Sequence, residues 1–117
     1  MLKEKIALLL DQNEAEQIVI MDMSNTPIIT DTFLLCTANS KTHMASLRDR
    51  IIDFFSSIDK TVLYYDKGKE YDWLVVDASE IVIHIFTKKG REFYALEKLW
   101  INAKQKEWIP ASSVPKP

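Results

Sequence analysis

Apolar residues recur along this chain with two different periods, and the change of period separates helices from strands. Leu2, Ile6, Leu9 and Leu10 repeat at three- and four-residue intervals, so residues 2–12 are predicted to form an amphipathic helix. Short apolar runs bounded by turn-forming residues favour strands instead. The predicted strands are 17–23, 32–38, 61–65, 73–77 and 80–86.

A second helix is predicted between the second and third strands. Asn39 or Ser40 supplies a side chain that can cap its N-terminus. Apolar residues then recur at helical spacing, while Arg48 is predicted to point outward. The apolar face of this helix comprises Met44, Leu47, Ile51, Phe54, Phe55 and Ile58.

The element order predicts a mixed α/β (α+β) fold with a five-stranded sheet and about three helices. The third helix follows Gly90 and runs from Glu92 to about Ala103, with Phe93, Leu96 and Trp100 on one side. Because strands outnumber crossover helices, the sheet should combine parallel and antiparallel pairs. Residues 1–103 are therefore predicted to form a single domain. Residues 104–117 include three prolines and are predicted to be an irregular tail.

The predicted hairpin at 73–86 has two apolar faces. With Ala78-Ser79 as the turn, Asp77 pairs with Glu80 and Trp73 pairs with His84. Side chains alternate between faces along a strand. One face therefore holds core residues: Leu74, Val76, Ile81, Ile83 and Ile85. The other, which we call the tryptophan face, comprises Trp73, Val75, Val82, His84 and Phe86, with Asp77 and Glu80 at one end.

The tryptophan face has the apolar centre and polar rim of a protein interface. Three helices are too few to cover both faces of five strands, so this face must be covered either by another part of the chain or by a partner. Trp73 is a candidate binding anchor because tryptophan is enriched at interface hot spots. His84 fits either a hydrogen-bonded structural histidine or an interface residue.

Composition and charge narrow the classes of function. The formal net charge is −2, whereas surfaces that bind a nucleic-acid backbone are usually basic. Residues 59–80 hold six acids and three lysines, which suits either a solvated loop or a patch that meets a basic protein. No apolar run reaches the roughly 20 residues of a membrane-spanning helix. Because the first helix lacks the features of a signal or transit peptide, a cytoplasmic protein is expected.

The residues of cofactor and metal chemistry are sparse. The two glycines, Gly68 and Gly90, cannot form a glycine-rich phosphate loop. His43 and His84 lie in different elements without a metal-ligand partner at suitable spacing. Cys36 lies in an apolar strand and is predicted to be a buried, inert thiol. We therefore expect no catalytic residue, no metal and no cofactor.

One set of residues gives the chain a family resemblance over roughly residues 14–103. Upstream it includes Thr30-Asp31, Phe33 and the run CTANS at 36–40. The pattern continues through Trp73, Asp77, Glu80, Val82, His84, Phe86, Arg91, Glu92, Tyr94, Leu96, Glu97, Leu99 and Trp100. Together these residues resemble the ribosomal silencing factor family, also called Iojap-like proteins. The combination is specific, although no single element of it would be.

The resemblance implies a fold and an activity that spacing cannot show. Family members have a nucleotidyltransferase-like fold without the catalytic carboxylates. They bind ribosomal protein L-fourteen of the large subunit, which blocks joining of the subunits and represses translation. The implied partner-binding residues are Trp73, Asp77, Ala78, Glu80, Val82 and His84. At Ala78-Ser79 the chain departs from the Tyr-Gly that the family often has.

Two other classes of function compete with this interpretation. A divergent nucleotidyltransferase would need bound nucleotide and Mg²⁺, which calorimetry would detect. A domain that only dimerises would use its apolar face for self-pairing, and a homodimer of the free protein is compatible with the silencing role as well. Apparent mass with and without the ribosomal partner separates these cases.

Overall fold

The computed structural model describes residues 2–24, 26–68 and 70–96, together with the backbone of 104–107. The bounds of the first two helices and of four strands follow the sequence prediction closely, whereas the third strand is shorter and the third helix begins and ends earlier than predicted. In chain order the elements are α1 (Leu2–Gln12), β1 (Glu16–Asp22), β2 (Thr32–Ala38), α2 (Lys41–Ser57), β3 (Tyr64–Tyr65), β4 (Trp73–Asp77), β5 (Ile81–Thr87), α3 (Lys88–Tyr94) and β6 (Lys104–Glu107).

The strands form one mixed sheet in the order β3-β4-β5-β2-β1-β6. β2 and β5 pair in parallel, whereas the other neighbouring strands are antiparallel. The predicted fold class, a mixed sheet with three helices, is confirmed. β6 is an addition, because it lies at the start of the segment predicted to be an irregular tail. Its sequence, KQKE, has no apolar alternation, and an edge strand can be held by backbone hydrogen bonds to one neighbour alone.

Helices α1 and α2 cover one face of the sheet and enclose the main core. Ser40 caps α2 by accepting a hydrogen bond from the His43 backbone N–H at 3.0 Å, as the sequence predicts. None of the helices that the structure describes is both long and apolar enough to cross a membrane. This core includes Ile6, Leu10, Met44, Leu47, Ile51, Phe55, Leu74, Val76, Ile83 and Ile85.

Arg48 on α2 is buried, and the prediction that it points outward is wrong. Its spacing from Met44 and Ile51 places it on the buried stripe of the helix. Its Nη1 donates to the backbone oxygens of Asp66 at 3.2 Å and Gly68 at 3.0 Å. The guanidinium therefore ties α2 to the loop between β3 and β4, which satisfies a charge that would otherwise be costly to bury.

Helix α3 begins and ends earlier than predicted, and Phe93 and Leu96 do not lie on one side of it. It ends at Tyr94 because Ala95 adopts a left-handed conformation, with φ 46°. Phe93 is 77% exposed, whereas Leu96, beyond the break, is buried. The predicted continuation of the helix, including Trp100, lies outside the described residues.

Candidate partner-binding surface

The hairpin of β4 and β5 is offset by two residues from the predicted register. Trp73 pairs with Phe86 and Val75 with His84, so the turn residues are Ser79 and Glu80 rather than Ala78 and Ser79. Ser79 has φ 73°, which favours glycine. The Asp77 carboxylate compensates by accepting the Ser79 backbone N–H at 2.8 Å.

This two-residue offset leaves the predicted faces unchanged, because side chains alternate with period two. Leu74 and Val76 belong to the core under the helices. Trp73, Val82 and Phe86 belong to a separate cluster on the opposite face. The structure therefore confirms the division of the hairpin into a core face and the tryptophan face.

Trp73 is fixed in place by three ring contacts and one hydrogen bond. Its indole stacks on Phe86 with ring centroids 5.3 Å apart and contacts the ring of Tyr94 at 4.7 Å. Its Nε1–H donates to Nδ1 of His84 at 3.1 Å. Trp73 is half-buried, so it combines a fixed orientation with partial accessibility.

His84 is a buried, neutral histidine. Burial lowers its pKa from 6.5 to about 3, so the imidazole carries no charge near neutral pH. Nδ1 accepts from Trp73, which assigns the ring proton to Nε2. Nε2 has no hydrogen-bond partner within the part of the chain that the structure describes. The hydrogen-bonded structural role predicted for His84 is thus observed.

The centre of the tryptophan face is buried by the chain itself. Val82, His84 and Phe86 are each less than a tenth exposed and pack in a cluster with Leu96, which follows α3. Of the two expected covers, another part of the chain or a partner, the chain itself supplies the one at the centre of this face. Its accessible part is the edge toward β3, where Trp73 and Val75 are half-buried.

The predicted rim residues occupy different positions. Asp77 is half-buried and braces the turn, while Glu80 is exposed and forms an ion pair with Lys60. Ala78 is 1% exposed and lies in the core on the other side of the sheet. The structure therefore places Trp73, Asp77, Val82 and His84 on one face of the hairpin. Ala78 lies on the core face, and Glu80 in the turn is directed toward Lys60 and the start of α1.

A buried polar network lies behind the tryptophan face. Arg91 on α3 donates to the Thr37 hydroxyl at 3.0 Å, and that hydroxyl donates to the Gln17 amide oxygen at 3.0 Å. Burial raises the pKa of the neighbouring Cys36 thiol to about 12, although the positive charge of Arg91 opposes the shift. The thiol is therefore protonated and enclosed, as the apolar strand pattern predicts.

An aromatic pocket beside Trp73 was not foreseen from the sequence. It lies between β3 and the start of β4 and encloses about 470 Å³. Tyr64 and Tyr71 contribute exposed rings to its wall. The tyrosine-rich segment from Tyr64 to Trp73 was the available signal, but a short loop gives no indication of where its rings converge.

These side chains form a surface suited to recognition. A rigid tryptophan with an accessible edge and neighbouring exposed aromatic rings is the arrangement of a protein-binding anchor. Within residues 2–24, 26–68 and 70–96, no three His, Cys, Asp or Glu side chains are placed to hold a metal ion. The class that the fold and surface define is a small mixed-sheet α/β protein with exposed aromatic side chains at one edge of the sheet.

Comparison with known proteins identifies the family. A family model described as "Ribosomal silencing factor during starvation" matches residues 2–117, so the chain belongs to the ribosomal silencing factor family. The ribosomal silencing factor of Bacillus subtilis is 33% identical over 96 residues, which cover 80% of this chain and 79% of that protein. That of Haemophilus influenzae is 31% identical over 91 residues, which cover 78% and 89% of the two chains.

Other similarities extend the family and agree with the fold. The Mus musculus protein named "Mitochondrial assembly of ribosomal large subunit protein 1" is 32% identical over 95 residues, which cover 79% of this chain and 42% of that protein. A crystal structure from Bacillus halodurans superposes with a TM-score of 0.78 at 25% identity and covers 92% and 97% of the two chains. One from Chromobacterium violaceum has a TM-score of 0.77 at 21% identity and supports the fold alone.

Proposed function

We propose that this chain is a translation repressor that binds the large ribosomal subunit through ribosomal protein L-fourteen and sterically blocks subunit joining. The observation that carries the proposal is the match of residues 2–117 to the ribosomal silencing factor family. The name of the mouse relative supports the large subunit as the partner. We place the activity in the cytoplasm, where subunits join.

Trp73 is the proposed anchor of this contact. Its ring is held by Phe86 and His84, so little conformational freedom is lost when a partner covers the exposed edge. Asp77 at the far end of β4 and Glu80 in the adjoining turn can meet basic groups of a ribosomal protein, with Glu80 leaving its ion pair with Lys60 to do so. His84 supports the anchor directly, and Val82 belongs to the buried cluster that Trp73 packs against.

Co-sedimentation with isolated subunits tests the proposal. The wild-type protein should sediment with large subunits and not with small subunits. Trp73→Ala should weaken large-subunit binding by roughly 2 kcal/mol or more, as truncation of a hot-spot residue does. Ile29→Ala is a suitable control because Ile29 is almost fully exposed and does not belong to the buried cluster that Trp73 packs against. Equal sedimentation with both subunits, or with neither, would overturn the proposal.

Two competing hypotheses predict different outcomes. A divergent nucleotidyltransferase requires nucleotide and Mg²⁺ binding in calorimetry, whereas silencing by occupancy requires neither. A domain that only self-associates would show a dimer mass that large subunits leave unchanged. A silencing factor that is dimeric when free would instead lose its dimer mass when large subunits are added, because the ribosomal partner replaces the second copy.

A further inference from the structure

The aromatic pocket beside Trp73 is a preformed feature of the sheet edge. The described residues that line it are Tyr64, Tyr65, Asp66, Lys67, Gly68, Tyr71 and Trp73. Arg48 braces its loop from below through the backbone oxygens of Asp66 and Gly68. The buried guanidinium therefore holds the backbone of the loop at Asp66 and Gly68, while the exposed ring of Tyr71 is free to adjust to a ligand.

The pocket combines aromatic faces with a fixed carboxylate. Asp66 accepts the Tyr64 hydroxyl at 2.6 Å and the Val75 backbone N–H at 2.8 Å, which orients its charge at the pocket wall. The face of an aromatic ring attracts a cation, and a nearby carboxylate strengthens that attraction. This chemistry favours a positively charged occupant.

The molecule already contains one such contact. The Lys67 ammonium lies over the ring of Tyr65, 5.8 Å from its centroid. A cation from the chain's own loop thus occupies one ring of the pocket, while Tyr64 and Tyr71 are each more than half exposed.

We propose that this pocket receives an arginine side chain of the protein partner, stacked against Tyr71 and Trp73 with its charge toward Asp66. The inference rests on the proposed function, because it names the chemistry by which a basic ribosomal protein would contact this edge. Arginine fits better than lysine because its planar guanidinium stacks on aromatic faces and is more weakly hydrated. Trp73 then joins the pocket to the tryptophan face as one continuous contact surface.

The pocket chemistry can be measured without the ribosome. The full-length protein is titrated with N-acetyl-arginine amide and, separately, with its neutral analogue N-acetyl-citrulline amide, while ring resonances are followed by NMR. Arginine amide should shift the resonances of Tyr71 and Trp73, and citrulline amide should bind at least fivefold more weakly. Equal responses to both probes would overturn the cation site. A response to adenosine monophosphate but not to arginine amide would also overturn it and indicate a nucleobase instead.

The role of the pocket in docking is measured with large subunits. Tyr71→Leu keeps the apolar bulk and removes the aromatic face, and it should lower the affinity about tenfold. Leu63→Ala removes an exposed apolar side chain that does not line the pocket, and it should leave the affinity within about twofold. Because Tyr71 is largely exposed, the thermal midpoint of the Tyr71→Leu protein should stay close to that of the wild type.

The two proposals fail in different ways. Wild-type protein that does not bind large subunits overturns the proposed function and the docking role together. Wild-type and Tyr71→Leu proteins that bind equally well overturn the arginine pocket and leave the proposed function standing. Tyr71→Leu that loses affinity for large subunits but still responds to arginine amide like the wild type also overturns the pocket, because the loss then has another cause.

Discussion

Trp73 and His84 determine each other's state. His84 can accept the indole N–H only while its Nδ1 is unprotonated, and burial keeps it so by lowering its pKa to about 3. Protonation would place an N–H opposite another N–H and leave a charge among the rings of Phe33 and Phe86. The anchor of the proposed contact is therefore oriented by a neutral histidine.

This dependence predicts a loss of stability in weak acid. The unfolded chain binds a proton at His84 near pH 6.5, whereas the folded protein binds it only near pH 3. The contribution of neutral His84 to stability is therefore complete above about pH 6.5. It is lost progressively as the pH falls from about 6.5 toward 3. Between pH 7 and pH 5, His84 should lower the free energy of unfolding by about 2 kcal/mol. Denaturant unfolding at both pH values measures it.

The control for this effect is His84→Gln, which keeps an acceptor near Trp73 but does not titrate. Over the same pH range, the free energy of unfolding of this variant should change less than that of the wild type. The difference between the two changes is the contribution of His84. The same pH dependence in both proteins would show that His84 is accessible to protons in the folded state.

A double-mutant cycle isolates the hydrogen bond between the two residues. Trp73→Phe keeps an aromatic ring against Phe86 but removes the N–H, so Nδ1 of His84 loses its donor. The free energy of unfolding should fall by about 1–2 kcal/mol. In a His84→Leu background the same change should cost clearly less, because no acceptor remains unpaired. Equal costs in both backgrounds would indicate that the hydrogen bond does not contribute.

At the scale of elements, Gly90 allows α3 to pack closely against the start of β4. A Cβ at Gly90 would lie 2.2 Å from the backbone oxygen of Asp72, whereas a Cβ at Gly68 would meet the ring of Tyr71 at 2.3 Å. The oxygen belongs to the sheet, but the ring is exposed and can rotate away. Gly90→Ala should therefore lower the free energy of unfolding by about 1–3 kcal/mol, and Gly68→Ala by much less.

Thermal melts of the two glycine variants provide the comparison. Gly68→Ala is the matched control, because neither glycine has a positive φ and the substitution is the same. A similar fall in melting temperature in both variants would mean that the contact between α3 and the start of β4 can relax.

The hairpin turn offers a stabilising substitution of the opposite kind. Ser79 has φ 73°, so Ser79→Gly should relieve strain and raise the free energy of unfolding by about 0.5–1 kcal/mol. Ser46→Gly, at an exposed position inside α2, should instead lower it by roughly 0.5 kcal/mol. Calorimetric midpoints that fall in both variants would show that the turn is not strained.

At the scale of the whole molecule, silencing by occupancy predicts stoichiometric inhibition. Subunit joining, followed by light scattering, should decrease in proportion to added protein and reach its limit near one copy per large subunit. EDTA-treated protein should inhibit equally well, because a steric block requires neither nucleotide nor metal. Inhibition by much less than one copy per subunit, or inhibition that needs added nucleotide, would favour the enzyme hypothesis.

Local features of this protein follow from the sequence. The helix at 2–12, the strand at 32–38, the Ser40 cap and the burial of Cys36 are confirmed. Each depends on spacing or on contacts within a few residues, where periodicity and capping rules apply. The two faces of the hairpin are confirmed for the same reason, because alternation is unaffected by a two-residue offset.

The tertiary structure decided what depends on contacts between distant segments. The hairpin register depends on a strained turn that the Asp77 carboxylate stabilises. Strand β6 forms by pairing with the edge of β1. Arg48 became a buried brace because loop carbonyls lie within its reach, and His84 became neutral because other elements exclude water from it. A sequence pattern assigns a residue to a face, but the energy of a buried polar group depends on which distant groups are available to satisfy it.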